Sequence, residues 1–192
     1  MFAWLQLGCA SHHGPPGSTD AAADAATDAV PGADGAGGLA CSGPSECVLL
    51  PRTCCGRCGL PTPGDMIALH RSQADAYQRE VCDGVACPEC AGTPDPYLIA
   101  TCREGRCVAL DLRDEPITSC SRHDECVVAT NRCCGCPNEH SNNVLAYNPS
   151  RGSLHAFLCD GDVACRPCAG TEMWWGAWCD AGRCVATRRL EE

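Results

Sequence analysis

Apolar residues along this chain come in short bursts, each closed off by Gly, Pro, Cys or charge. Cys47 to Leu50 and Glu125 to Ala129 have the length and β-branched character of short strands crossing cysteine-rich loops. Met66 to Leu69 and Val144 to Tyr147 are apolar runs suited to pair as strands. Over Ser72 to Val81 the spacing changes. Ala74, Tyr77 and Val81 recur at helical intervals, and Ser72 stands where a cap would. The matching stretch further on, Ser153 to Leu158, sits behind Pro149 and Gly152 and predicts a shorter helix. Cys102-Arg-Glu-Gly-Arg-Cys107 and Cys179-Asp-Ala-Gly-Arg-Cys184 read as hairpins with two-residue Glu-Gly and Ala-Gly turns. Cys102 and Cys107 then face one side, where they can bond to each other or anchor the hairpin to the core separately.

These elements occur twice. Cysteines at 41, 47, 54, 55, 58, 82, 87, 90, 102 and 107 recur at 120, 126, 133, 134, 136, 159, 165, 168, 179 and 184. Flanking residues follow them: Asp83 to Thr93 resembles Asp160 to Thr171, and Glu104 to Ala109 resembles Ala181 to Ala186. The expected organisation is a processing-like segment 1–9, a tether 10–40, repeat 41–110, linker 111–119, repeat 120–187 and tail 188–192. The fold class expected is small, disulfide-rich α+β: two tandem homologous domains, each with short strands, one short helix and a C-terminal β-hairpin.

The chain has 21 cysteines in 192 residues, a composition that signals a disulfide scaffold. Cores this small need staples, and disulfides supply about 2–4 kcal/mol each. They persist in an oxidising compartment, which implies a periplasmic, outer-membrane-anchored or extracellular location. All twenty repeat cysteines are expected to be bonded. Adjacent pairs such as Cys54 and Cys55 should split between different partners, because neighbouring side chains rarely meet bonding geometry.

The formal charge is -10. Such a surface repels phosphate backbones, so nucleic acid is not an expected partner. Every basic side chain is Arg, which removes lysine chemistry. Cys9 stands outside both repeats, after the apolar start MFAWLQLG and before an Ala/Gly/Asp-rich stretch with little to bury. That arrangement resembles a bacterial lipoprotein processing site, with Cys9 lipidated. Membrane contact is expected only through this anchor.

Cys87-Pro-Glu-Cys90 and Cys165-Arg-Pro-Cys168 have the spacing of a redox pair or half a zinc site, with Cys54, Cys55 and Cys58 as further candidate ligands. Structural disulfides account for them more simply, so no cofactor or metal is expected. No histidine recurs at an equivalent position, and no serine carries a matched base, so no enzymatic activity is expected. The copies differ most in aromatics. Met173-Trp-Trp-Gly-Ala-Trp-Cys179 replaces Pro96-Tyr-Leu-Ile-Ala-Thr-Cys102. On a strand with Cys179 inward, Ala177 and Trp175 point inward, and Trp174 and Trp178 point outward. Trp174, Trp178 and Tyr97 are therefore the candidate binding residues.

The layout resembles cysteine-rich lipoproteins and secreted proteins found in large-genome soil bacteria such as myxobacteria. That resemblance implies a location, and a protein or glycan at the cell surface as partner. Separately, Cys41, Cys47, Cys54-Cys55 and Cys120, Cys126, Cys133-Cys134, with Asp124, are similar to the start of a whey-acidic-protein domain. Beyond Cys58 the spacing departs, and each copy has ten cysteines. The resemblance implies protease inhibition through an exposed loop, Val48 to Thr53 or Val127 to Arg132. The function expected first is a non-enzymatic binding or interaction module. The alternatives are a protease inhibitor and a thiolate zinc-binding protein.

Overall fold

The computed structural model describes residues 40–87, 92, 94–169 and 174–189. The segments 1–9 and 10–39, with Cys9, lie outside them, as do Cys90, Met173 and residues 190–192. Within the described residues the chain runs β1 (Cys47–Pro51), β2 (Met66–His70), α1 (Ala74–Cys82), β3 (Leu98–Arg103), β4 (Arg106–Asp111), β5 (Val127–Thr130), β6 (Val144–Tyr147), α2 (His155–Leu158), β7 (Trp175–Asp180) and β8 (Arg183–Arg188). Each half repeats one plan: a two-stranded antiparallel sheet, a helix, then an antiparallel hairpin. In the first sheet Leu49 pairs with Ala68, and in its counterpart Ala129 pairs with Leu145. The protein is a small disulfide-rich α+β fold with two similarly built halves.

The local signals act much as the sequence implies, with one correction. Ser72 does not cap α1. A 3-10 turn, Arg71–Gln73, precedes the helix, and the His70 side chain caps that turn by accepting from the Ser72 amide. The second helix is short because the chain leaves the Pro149 and Gly152 bends with only four helical residues before Cys159. Both hairpin turns need positive φ at two successive residues. Glu104 and Gly105 take 52° and 73°, and Ala181 and Gly182 take 45° and 80°. This is the turn whose twist matches paired strands.

The disulfides repeat as one pattern. Cys41–Cys102, Cys47–Cys107, Cys54–Cys82 and Cys55–Cys87 in the first half match Cys120–Cys179, Cys126–Cys184, Cys133–Cys159 and Cys134–Cys165 in the second. Cys136–Cys168 completes the second set, and Cys58 is also disulfide-bonded. The adjacent cysteines do split. Cys102 and Cys107 face each other across the hairpin, yet each bonds the segment around β1 instead. The hairpin is thereby riveted across the first sheet at two points.

A second repeated device lies between the first two cysteines. In Cys-Ser-x-x-x-Glu-Cys, the glutamate accepts from the serine amide: Ser42 to Glu46 at 2.6 Å, and Ser121 to Glu125 at 2.7 Å. These bonds hold both carboxyls below the usual carboxylate range.

The halves share one core and fall within one compact unit. Ile99 from β3 packs with Leu112, Ile117, Leu145 and Leu154, joined by Tyr97, Tyr147 and Phe157. The 111–119 connection is a buried one. Leu112, Ile117 and Thr118 are almost fully enclosed, and Asn148 ties the connection down through Ile117 O and Ser119 O. A smaller cluster inside the second half is built largely of sulfur and alanine: Cys120, Cys126, Cys184 and Ala146. Two staples there replace the bulky residues a larger core would use.

Candidate functional site

Equivalent strands β3 and β7 meet different surroundings, and this difference defines the candidate site. Counting back from Cys102 and Cys179, Tyr97, Ile99 and Thr101 correspond to Trp174, Gly176 and Trp178. In the first half this face is covered: Ile99 is 4% exposed and Thr101 2%. It docks against β6, α2 and the connection. Nothing follows the second half within the described residues to cover the same face, and Trp178 there is 49% exposed.

Trp178 is nevertheless held. Its indole N–H donates to Thr187 Oγ1 at 2.7 Å. Its ring meets His123 edge-on, 5.4 Å between centroids. Thr187 is the cross-strand partner of Gly176, so the indole lies back over the bare glycine. A Cβ built at Gly176 would approach the indole nitrogen to 3.2 Å. An aromatic laid over a strand glycine shields backbone that no side chain covers. His123 Nδ1 accepts from the Cys179 amide at 3.0 Å, which fixes the ring that steadies Trp178. Exposed Arg189 borders the patch, with its Nε 3.5 Å from a Cβ built at Gly176, and it stands where the first half has buried Leu112.

Trp174 is half-buried just before β7, and its carbonyl accepts from the Arg189 amide. Trp175 points to the other side and donates to Asn138 O. Tyr97 does not join the patch. Its hydroxyl donates to Cys184 O at 3.0 Å and accepts from the Ala146 amide at 3.1 Å, bolting the first half to the second. Burial pushes its phenol pKa up, and the Arg113 guanidinium covers its ring at 5.3 Å. Arg113 is itself paired with Asp111 and Asp95. The sequence reading missed His123, Thr187 and Gly176. A glycine between tryptophans on a strand was the available signal.

The cysteines form clusters that could coordinate a metal ion. Sulfurs lie within 4.8 Å of one another in four sets: Cys41, Cys47 and Cys107; Cys54, Cys55 and Cys87; Cys120, Cys126 and Cys184; Cys133, Cys159 and Cys165. Each set contains one bonded pair and a sulfur from the neighbouring disulfide. Only thiolates ligate, so reduction must precede coordination. Cys165 and Cys168 are not bonded to each other; they bond Cys134 and Cys136.

Beside those two disulfides lies a cavity of about 260 Å³, lined by Thr130, Arg132, Cys134, His155, Cys165 and Arg166 among others. The segments expected as inhibitory loops are largely strand: residues 48–51 pair with β2, and residues 127–130 pair with β6. No helix among the described residues is long and apolar enough to cross a membrane. No protein-family model, curated protein or solved structure matches the chain.

Proposed function

We propose that this protein is a non-enzymatic binding module of an oxidising compartment, at the cell envelope or outside the cell, and that it grips its partner with the β7 face around Trp178. One observation carries this reading: Trp178 on β7 stands half exposed where its β3 counterpart, Thr101, is buried. A surface built to dock, kept rigid by hydrogen bonds and topped by an exposed tryptophan, has the makings of a binding hot spot. The chemistry of the patch suits a protein or glycan. Trp178 offers a flat apolar ring, while Arg189 favours acidic groups in the partner. Lipidation of Cys9 belongs to the same proposal and would keep the module at a membrane surface.

The test compares native protein with Trp178→Ala for retention on an isolated cell-envelope preparation, after both give the same disulfide map. Loss of a hot-spot tryptophan should weaken retention by about thirtyfold, the equivalent of roughly 2 kcal/mol. Equal retention contradicts the assignment of this face.

The four sulfur sets favour a second reading, thiolate metal binding. It requires a reducing compartment, where three clustered thiolates and a fourth donor would satisfy zinc. The two readings exclude each other by oxidation state. Zinc recovered in stoichiometric amounts with natively isolated protein supports the second. Its absence, with all sulfurs bonded, supports the first.

A further inference from the structure

The repeat supplies an internal comparison at the cavity in the second half. Cys134–Cys165 and Cys55–Cys87 are equivalent disulfides on equivalent scaffolds. Three features meet at the former. His155 Nε2 lies 3.6 Å from Cys165 Sγ. Counting back from the helix-ending cysteines, Gln78 occupies that position in the first half. The cavity opens on Cys134 and Cys165, and Arg132 and Arg166 also line it. Finally, Cys134 has φ 56°, a left-handed conformation costly for a residue with a Cβ. Among the described residues, the non-glycines with positive φ are Glu104, Cys134 and Ala181, so Cys55 is relaxed where Cys134 is not.

Thiol–disulfide exchange depends on access to the attacked sulfur and on how readily the other leaves as thiolate. A cationic neighbour stabilises a thiolate. Here Cys134 is an exposed residue, and Cys165, partly buried, is the one whose sulfur lies beside the imidazole. The buried staples Cys120–Cys179 and Cys126–Cys184 have no such access, since Cys120, Cys126 and Cys184 lie in the core.

We infer that Cys134–Cys165 is a thiol-exchange site, at which a small thiol adds to Cys134 and releases Cys165 as a thiolate steadied by His155. In the first step the attacking thiolate forms a bond to Cys134 Sγ as the Cys134–Cys165 bond breaks, and the electron pair leaves on Cys165 Sγ. A second thiolate attacks the outer sulfur of the mixed disulfide and releases Cys134. Two thiols have then been oxidised to one disulfide, and the protein disulfide has been reduced to two thiols. His155 acts as a positioning and charge-stabilising residue, and the arginines favour an anionic thiol such as reduced glutathione. This inference does not depend on the Trp178 reading.

The test uses the full, oxidised chain with limiting reduced glutathione as the probe. Aliquots are quenched with an alkylating agent, digested and read by mass spectrometry. The glutathione adduct on Cys134 and alkyl label on Cys165 are expected roughly tenfold ahead of label on Cys55 and Cys87. In His155→Gln, which carries the amide found in the first half, that lead should disappear while the disulfide map stays unchanged. Equal rates for the two disulfides in native protein would overturn the inference, without recourse to any variant. So would a lead that His155→Gln leaves intact, or a glutathione adduct that forms first on Cys165 with the alkyl label on Cys134.

Discussion

A single backbone angle at Ala181 offers the simplest test at the residue scale. The β7–β8 turn asks a residue with a Cβ to hold φ 45°, next to Gly182 at 80°. Asn tolerates this region far better than Ala. Ala181→Asn is therefore expected to stabilise the oxidised protein by about 0.5–1 kcal/mol, read as a higher guanidinium midpoint at unchanged slope. Carboxylates supply the second test. Glu46, Glu125 and Asp160 are all held below the usual range, first by bonds from Ser42, Ser121 and Ser45 respectively. A carboxyl whose pKa is lowered by folding stabilises the fold above its unfolded pKa. That contribution disappears as pH falls through the lowered folded value. Acidification below the usual carboxylate range should therefore loosen all three loops, seen as faster amide exchange, corrected for intrinsic rate, at Ser42, Ser121 and Ser45. Protection unchanged down to the most acid conditions would contradict these bonds.

Elements carry the contact between halves. β3 brings Ile99 onto β6 and α2, and the hydroxyl of Tyr97, just before β3, satisfies the Ala146 amide on β6 and the Cys184 carbonyl on β8. Tyr97→Phe removes both bonds with little change of shape. The cost should be about 1–3 kcal/mol, because buried backbone groups lose a partner, measured by denaturant unfolding. Leu145→Ala, at a site with no exposure, should cost about 2–5 kcal/mol. Trp178→Ala should cost much less, since the ring is half exposed.

Much of this scale was legible beforehand. The apolar bursts at 66–69 and 144–147 became β2 and β6, and Glu-Gly and Ala-Gly became the turns, because these signals are local. Ser72 misled because its amide and its hydroxyl both pair with His70, which holds it inside the preceding turn. Tyr97 read as a binding residue because its partners, Ala146 and Cys184, are distant in sequence. Its burial depends on how the halves dock, which periodicity does not encode. The same holds for Trp178, whose outward direction followed from alternation but whose clasp by Thr187 and His123 did not.

At the scale of the molecule, the repeat copies its staples but not its surfaces. Gly43 shows how far the halves have diverged to fit one another. Its bare Cα admits the Asp160 carboxylate, which accepts from the Ser45 amide and hydroxyl, whereas the equivalent residue in the second half is Arg122. The shared core makes the halves mutually dependent, so one cooperative unfolding transition is expected under oxidising conditions. The first half buries its β3 face against the second, whereas on the equivalent face of the second half Trp178 is half exposed. That account requires the sulfurs to be bonded as the repeat dictates, because the rigid hairpin hangs from Cys120–Cys179 and Cys126–Cys184. The most direct measurement is therefore to alkylate natively isolated protein without reduction, digest it and map every linkage. The account expects no alkyl label on the cysteines of 41–87 or 102–184, with Cys54 joined to Cys82, Cys55 to Cys87, and the same split at Cys133 and Cys134. Extensive label on those cysteines, with zinc released by acid, would contradict it and make the protein a thiolate metal binder.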